Sequence, residues 1–361
     1  MNTRFLSWLM LPVLALVTGC PSGGGGEGGF EGGAVPVAYV VSSGPNEVSA
    51  YTISGGGSLV DARIISLTTD VPSSIAVSSN GSFAFVATND GIYAFAISAT
   101  TGGLTSVTGS PFVSGSGFNA VTVSPNDRFL YAANNNGTVS VYSIGGTTGA
   151  LSVVGAPIAA GTTPSAVAVS PNGSFLYVSN QGSNNVSAFR INGTTGALTF
   201  EENENAGTSP RGVAVSPNSA LLYVSNQGSN NVSVFSINGT TGALTQVINS
   251  PFGAGTAPSG VAVSPNGAFL YVSNQGSNNV SVFSVNGTTG DLNNVETEPA
   301  GIAPSGITIE PDGQFLYASN SGGGGNVSGY RITAGTGELV SLGAAFPAGA
   351  TPVGIATPGR P

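Results

Sequence analysis

Short apolar runs alternate with Gly, Pro and Asn along the chain, and residues 258–292 show one complete unit of this pattern. PSGVAVS is an apolar run, and Pro265-Asn266-Gly267 follows it as a turn. AFLYVSN is a second run, QGSNN is a second turn, and VSVFSV alternates apolar and polar residues with period two. NGTTG then turns the chain before a weaker run around Leu292. The unit is therefore predicted to hold four short antiparallel strands, and no window has a helical period.

The unit recurs along the chain, and one aromatic residue marks the same place in each copy. These aromatics are Tyr39, Phe85, Tyr131, Tyr177, Tyr223, Tyr271 and Tyr317, at spacings of 46, 46, 46, 46, 48 and 46 residues. Four strands repeated at this period predict an all-β fold, a seven-bladed β-propeller with four antiparallel strands per blade. The repeats nearly fill residues 35–361, so a second domain is not expected.

The two ends of the domain predict how the ring closes. Residues 37–43, VAYVVSS, align with the second strand of a unit, and residues 351–356, TPVGIA, align with an inner strand. We therefore expect the C-terminal strand to complete the N-terminal blade. Closure of this kind removes the free sheet edges that an open array would expose.

The N-terminus has the layout of an export signal. Arg4 precedes an apolar run of 13 residues, 5–17, which is too short to span a bilayer. The run ends in Val-Thr-Gly-Cys, which resembles the lipobox of bacterial lipoproteins, and Cys20 is the only cysteine in the chain. This predicts a signal peptide over 1–19 and lipidation, palmitate included, at Cys20. The alternative is an ordinary signal peptide with a chance cysteine.

Residues 20–34 are rich in glycine and are predicted to be a flexible tether between the lipid and the propeller. Pro21 rather than Asp follows the cysteine. By resemblance to the lipoprotein sorting rule of Gram-negative bacteria, this favours the outer membrane. The expected location is therefore the cell envelope, with the propeller periplasmic or surface-exposed and the lipid anchor in the membrane.

Charge narrows the choice of partners. The chain has seven basic residues, all arginine, no histidine, and a net charge of −9. Nucleic acid is not an expected partner, because binding it requires a basic patch. No cluster of Cys, His or acidic residues has metal-ligand spacing, and no motif points to a cofactor. A monomer that contacts an envelope protein or a glycan is expected.

The unit PSGVAVSPNGAFLYVSNQGSNNVSVFSVNGTTGDL closely resembles the lactonase-type seven-bladed propellers. These include the 6-phosphogluconolactonase-like proteins and the surface repeats with a Tyr-Val-Thr-Asn consensus. The resemblance implies His, Arg and acidic residues at the mouth of the central channel, in Pro-Arg-His and Asn-Glu motifs. Here Pro210-Arg211-Gly212 has Gly in place of His, and Asn226-Gln227 has an amide in place of the carboxylate.

These departures bear on catalysis. Lactone hydrolysis needs a group that activates water and a cation that stabilises the oxyanion. Arg211 is a weak catalytic candidate for the cation. The amide of Gln227 cannot accept a proton from water. Glu310 is a carboxylate that could act as the base, but it is expected at the opposite mouth of the channel from Arg211. The sequence therefore favours a lipid-anchored binding or structural module without a recognisable catalytic site. The alternative is a lactone hydrolase of the 6-phosphogluconolactonase type.

Three SNQGSNN loops are nearly identical, and their amides are the other candidate ligand contacts. The residues concerned are Asn180, Gln181, Asn226, Gln227, Asn274 and Gln275. Equivalent amides on successive blades suit weak multivalent binding of a peptide or glycan at the channel mouth or on the loops. The alternatives are turn chemistry, because Asn and Gly tolerate positive φ angles, and duplication without a ligand.

Overall fold

The computed structural model describes residues 35–112 and 117–358, and these residues form seven antiparallel sheets arranged as the blades of a closed ring. The all-β, seven-bladed propeller predicted from the repeat is therefore confirmed. Within the described ranges there is no helix of the length and apolarity that crossing a membrane requires.

Each blade supplies strands at four successive distances from the ring axis. The inner strands are β4 (Pro72–Val77), β8 (Phe118–Val123), β13 (Pro164–Val169), β17 (Pro210–Val215), β22 (Pro258–Val263), β26 (Pro304–Ile309) and β31 (Pro352–Ala356). The second strands are β1 (Val37–Ser42), β5 (Phe83–Thr88), β9 (Phe129–Asn134), β14 (Phe175–Asn180), β18 (Leu221–Asn226), β23 (Phe269–Asn274) and β27 (Phe315–Asn320).

The third and outer strands complete the blades. The third strands are β2 (Glu47–Ile53), β6 (Ile92–Ile97), β10 (Thr138–Ile144), β15 (Asn185–Ile191), β19 (Asn231–Ile237), β24 (Asn279–Val285) and β28 (Asn326–Ile332). The outer strands are β3 (Leu59–Ser66), β7 (Leu104–Ser106), β11 (Leu151–Val153), β16 (Leu198–Asn205), β20 (Leu244–Gln246), β25 (Leu292–Pro299) and β29 (Leu339–Ser341). Three short strands pair with the third strand of their blade: β12 (Ile158–Ala159), β21 (Phe252–Gly253) and β30 (Phe346–Pro347).

Blades are numbered by their second strands, so blade 1 contains β1, β2, β3 and β31, and blade 7 contains β26 to β30. Strand β31 pairs antiparallel with β1, with Tyr39 opposite Ala356 and Val40 opposite Ile355. The first and last parts of the domain therefore share one sheet, as the alignment of the two ends predicts.

The outer strand of blade 6 is longer than its sequence predicts. Where the sequence predicts a weak run around Leu292, β25 extends over eight residues and pairs with β24 along its length. Its sequence, LNNVETEP, has mostly polar side chains that face solvent, so it carries little apolar alternation. The strand is held by backbone hydrogen bonds to β24. These bonds do not depend on the side chains, so the hydrophobic pattern of the sequence does not reveal them.

The second strands form the core, because they lie between neighbouring blades and are buried on both faces. Five of the six repeated tyrosines also join blades through their hydroxyls, as where the Tyr177 hydroxyl donates to the Gly242 carbonyl of the next blade at 3.0 Å. Burial raises the pKa of the Tyr177 hydroxyl well above its ordinary value, because the charged form would lose its hydration. The marker aromatic of the repeat is therefore an inter-blade contact rather than part of a site.

The NGTTG turns are positioned against the preceding blade, which gives a test of the packing. Gly242 has φ of 80°, and a Cβ there would overlap the Phe175 ring of blade 4. Gly242→Ala is expected to lower the free energy of unfolding by about 2–4 kcal/mol, through left-handed backbone strain and steric overlap. Urea unfolding measures the loss. Gly239→Ala in the same turn is the matched control, since a Cβ there meets nothing within 4 Å; equal stability losses would contradict the expectation.

Candidate functional site

The inner strands surround a central channel with a volume of about 700 Å³. Side chains and backbone from all seven inner strands line it, and Arg211 and Gln181 lie among them. The inner strands are only partly buried, in contrast to the second strands, because one side faces this channel. The channel is therefore a cavity to which every blade contributes, and one of its ends carries the Arg211 cation.

One position of the repeat forms a ring around this end of the channel. It is the residue after the first residue of each inner strand: Ser73, Asn119, Ser165, Arg211, Ser259, Ser305 and Val353. Four of these side chains clamp the next inner strand by donating to the carbonyl of its first residue. The bonds are Ser73 to Phe118 at 2.6 Å, Asn119 to Pro164 at 2.6 Å, Ser165 to Pro210 at 2.8 Å and Ser305 to Pro352 at 3.0 Å.

Arg211 is one of the three ring residues that make no such bond, together with Ser259 and Val353. Its guanidinium Nη1 donates to Gln275 Oε1 at 3.3 Å, in the next blade, rather than to the first carbonyl of that blade's inner strand. Blades 5 and 6 are joined at this level by the Ser225 hydroxyl, which donates to the Ser259 carbonyl, as the Ser179 hydroxyl does to the Arg211 carbonyl one blade earlier. The ring position of blade 5 therefore lacks this structural contact, and Arg211 uses one of its five N–H donors, so the others are available to a ligand.

The charge of Arg211 has no counter-ion among the described residues. The one ion pair in that part of the chain joins Arg190 to Glu201 at 2.9 Å, on the outer side of blade 4. Arg211 is partly buried, and desolvation lowers the pKa of its guanidinium below the ordinary value. An uncompensated, partly desolvated cation favours an oxygen atom that carries or develops negative charge.

The remaining described arginines lie elsewhere. Arg128 lies over the Phe129 ring at 5.3 Å, and Arg331 lies over the Phe315 ring at 4.8 Å, both as cation–π contacts. None of the other described arginines lines the channel. The described part of the channel therefore presents a single positive charge.

The structure brings three of the predicted amide residues together at the Arg211 end. The Gln181 amide Nε2 donates to Gln227 Oε1 at 3.4 Å, and Gln227 Nε2 donates to Gln275 Oε1 at 2.9 Å. Each glutamine belongs to a different blade, and each is partly exposed. The three repeated loops therefore meet one another and Arg211 at a common rim.

The three asparagines before them lie elsewhere, and their interpretation as ligand contacts needs correction. Asn180, Asn226 and Asn274 are fully buried. The Asn226 side chain donates to Ser233 Oγ at 2.9 Å and to Asn231 Oδ1 at 2.8 Å. These amides hold the ends of the second and third strands together, because a β-strand places successive side chains on opposite faces and turns this one inward.

Glu310 is far from Arg211. It follows the last residue of β26, whereas Arg211 is the second residue of β17, and it lies beside Pro311 and Thr357. An inner strand of six residues separates these two positions by about 17 Å along the ring axis. The described residues also hold no group of three or more acidic, His or Cys side chains arranged for a metal ion. Cys20 lies outside the described residues.

Sequence reasoning missed the channel hydroxyls. Ser165 and Ser259 line the channel in the blades on either side of Arg211, and Ser73 and Ser305 occupy the same position in blades 2 and 7. The signal was present, since these residues align with Arg211 at spacings of 46 or 48 residues. This signal is visible only when the inner strands of all blades are aligned, because a serine beside a proline is common in turns and does not by itself indicate a channel.

The family comparison covers almost the whole propeller. A family model described as lactonase, 7-bladed beta-propeller matches residues 34–163, 155–256 and 246–355. None of the curated proteins compared matches the chain in sequence.

Solved structures with the same fold are distant in sequence. A candidate 6-phosphogluconolactonase from Bacteroides uniformis is 21% identical, with a TM-score of 0.78, over 90% of this chain and 99% of its own. The periplasmic gluconolactonase of Pseudomonas aeruginosa is 19% identical, with a TM-score of 0.75, over 91% and 100%. Hydrazine synthase of Kuenenia stuttgartiensis is 18% identical, with a TM-score of 0.63, over 88% and 99%. Such neighbours establish the propeller fold, which is shared by proteins of different names and chemistries.

Proposed function

We propose that this chain, which belongs to the lactonase family of seven-bladed β-propellers, hydrolyses a small uncharged lactone at the Arg211 end of its central channel. The observation that carries this proposal is the guanidinium of Arg211. It is partly buried, lacks a carboxylate partner among the described residues, and has given up the inter-blade contact that its ring position makes in four other blades.

Arg211 supplies the electrostatic part of the reaction. When a nucleophile adds to a lactone carbonyl, the carbonyl oxygen becomes an oxyanion, and N–H donors aimed at it lower the barrier. Because the guanidinium is partly desolvated, its interaction with this oxyanion is stronger than it would be in water. One such donor group contributes a factor of about 10²–10³ in rate.

Hydroxide from solvent is the nucleophile in this proposal. The chain has no histidine, and no carboxylate belongs to the described lining of the channel. The attacking oxygen is therefore activated by loss of its proton to bulk water before it enters the channel. Hydroxide adds to the carbonyl carbon, the ring C–O bond then breaks, and the leaving alkoxide takes a proton from water.

The single cation also limits the substrate. A phosphate group carries close to two negative charges at neutral pH and is commonly held by several N–H and cationic groups. Arg211 is the one arginine of the described channel lining, and it is needed at the carbonyl oxygen. An unphosphorylated sugar lactone therefore suits the channel better than a phosphorylated one, although two structural neighbours bear the name of a candidate 6-phosphogluconolactonase.

A pH–rate profile tests the hydroxide step. We expect kcat/KM with δ-gluconolactone to rise about tenfold per pH unit above neutrality, with a constant ratio to the buffer blank, because no protein group supplies a titrating base. Desolvation lowers the pKa of Arg211, but an arginine stays protonated at every pH where the lactone can be assayed, so its charge adds no step to the profile. A profile that levels off near neutral pH, as a general base produces, would contradict the proposal.

A second candidate function is binding without turnover, in keeping with a lipid-anchored binding or structural module. The observation in its favour is Gln227, an amide where the resemblance to enzymatic members leads one to expect a carboxylate. Under this alternative, Arg211 and the rim amides bind a sugar acid, and the lactone is bound without acceleration. Binding of gluconate together with lactone consumption equal to the blank would favour it.

We also propose attachment of the propeller to the bacterial outer membrane through a lipid on Cys20. This rests on the Val-Thr-Gly-Cys sequence, on Pro21 and on the glycine-rich residues before the first strand. Cys20→Ser is expected to move the protein from the membrane fraction to the soluble fraction, or to leave the precursor uncleaved, with the propeller still folded. Fractionation followed by immunoblotting measures this. A Cys20→Ser protein that is cleaved and still sediments with membranes would contradict lipid attachment.

A further inference from the structure

The glutamines of the three repeated loops form one hydrogen-bonded chain at the channel mouth, here named the amide arc (Gln181, Gln227 and Gln275). The arc runs from Gln181 in blade 4 through Gln227 in blade 5 to Gln275 in blade 6, with contacts of 3.4 and 2.9 Å. Its last oxygen, Gln275 Oε1, also accepts from Arg211 Nη1 at 3.3 Å. The arc and the cation therefore form one continuous polar surface.

The blades without the arc treat the same loop position differently. The equivalent residues are Ser43, Asn89, Asn135 and Ser321. Three of them bond within their own blade: Ser43 Oγ to the Thr351 carbonyl at 3.3 Å, Asn89 Oδ1 to the Val71 N–H at 2.7 Å, and Ser321 Oγ to the Ala303 carbonyl at 2.9 Å. Glutamines that bond to the neighbouring blade occur in blade 5, which carries Arg211, and in blades 4 and 6 on either side of it.

Loop closure does not explain these glutamines. Each loop is already closed by the backbone, since Gln181 N donates to Thr163 O at 2.9 Å and Gln227 N donates to Ser209 O at 3.0 Å. The buried asparagine beside each glutamine anchors the strand end with its own side chain. The loop would therefore stay closed with another side chain in place of each glutamine, and the glutamine side chains are partly exposed at the rim.

The arc has hydrogen-bonding capacity to spare. A glutamine side chain has two N–H donors and an oxygen that accepts two bonds. Gln227 uses one of each within the arc, and Gln181 uses one donor. Gln275 uses both acceptor positions, whereas its N–H groups have no acceptor within the described residues. The arc therefore offers donors and acceptors side by side, which matches hydroxyl groups, because each hydroxyl also donates and accepts.

We propose that the amide arc is a binding subsite for the hydroxyl chain of a polyhydroxylated ligand whose carbonyl or carboxylate oxygen lies at Arg211. The placement of that oxygen rests on the proposed function. The recognition of hydroxyl groups by the arc stands on its own contacts and does not require turnover.

Two acids of equal chain length test the subsite by isothermal titration of the full chain. D-Gluconate and hexanoate both have six carbons and a carboxylate, but only gluconate has hydroxyl groups. We expect gluconate to bind more tightly than hexanoate. Gln227→Met and Gln181→Met, which keep side-chain length and do not touch Arg211, are each expected to weaken gluconate binding about two- to tenfold and to leave hexanoate binding unchanged.

Ser43→Ala is the matched control, because Ser43 occupies the same loop position on the far side of the ring and is expected to leave both affinities unchanged. Thermal unfolding of every variant establishes that the ring is intact. The inference is overturned if gluconate does not bind the unmodified chain, or if the gluconate-to-hexanoate ratio is the same in both methionine variants as in the unmodified chain.

The same titrations separate this inference from the proposed function. If gluconate binding depends on the glutamines while lactone consumption equals the blank, the hydrolase proposal fails and the subsite stands. If Arg211→Ala abolishes turnover and binding of both acids while the methionine variants keep the ratio, the subsite fails and the hydrolase proposal stands.

Discussion

Replacing Arg211 with alanine is expected to lower kcat/KM for δ-gluconolactone by about 10²–10³, to the level of the buffer blank. The variant removes the only cation of the described channel lining and leaves the carbonyl oxygen without a charged donor. The fold is expected to tolerate it, because blades 5 and 6 remain joined by the Ser225 hydroxyl. Lactone consumption is followed with purified protein at a pH where spontaneous ring opening is slow.

Two variants sharpen this measurement. Arg211→Lys keeps the charge but loses the planar fork of donors, so part of the rate is expected to return. Arg190→Ala removes an arginine that pairs with Glu201 on the outer side of the ring, and it is expected to leave the rate unchanged. If Arg211→Ala retains a rate well above the blank, the oxyanion role assigned to Arg211 is wrong.

Deleting residues 351–361 is expected to destabilise the whole ring. The deletion removes β31, which supplies the inner strand of blade 1 and pairs with β1. It also removes Ile355, which is 8% exposed and packs with Tyr317 and Val40 in the core between blades 7 and 1. Loss of that side chain alone costs about 2–5 kcal/mol, and the unpaired backbone of β1 adds to the loss.

Urea unfolding followed by far-UV circular dichroism measures this effect against two comparisons. Deletion of residues 359–361 leaves β31 in place and is expected to keep the midpoint of unfolding. Ile355→Ala keeps the strand and is expected to have an intermediate effect, which separates side-chain packing from ring closure. An unchanged midpoint after deletion of 351–361 would show that the ring does not depend on this strand.

Much of the propeller follows from local properties of the sequence. Apolar runs separated by Pro-Asn-Gly and NGTTG set the strands and turns, because turn residues act through the backbone geometry of a few neighbours. The aromatic at Tyr177 and its equivalents gives the number of blades, since each blade places an aromatic side chain at the same core position. The outer strand β25 is longer than the sequence predicts, because its mostly polar residues carry no apolar period.

The candidate site is less local. Sequence reasoning selected Arg211 and the loop amides as a group, but it could not separate Asn226 from Gln227, which are adjacent in the chain. In the structure Asn226 is fully buried and holds strand ends, while Gln227 bonds to the glutamines of two other blades. The division arises from the pleat of the strand end, which turns neighbouring side chains to opposite sides.

The sequence by itself determined the number of blades, the closure by the C-terminal strand, and the absence of histidine from any site, because repeats and residue types are properties of the chain. Only the tertiary structure decided that Arg211 leaves the contact made at its ring position by four other blades, and that Gln181, Gln227 and Gln275 meet beside it. The hydrogen-bonded pairs among them are 46, 48 and 64 positions apart, so their contacts depend on the radius and twist of the closed ring rather than on any local pattern.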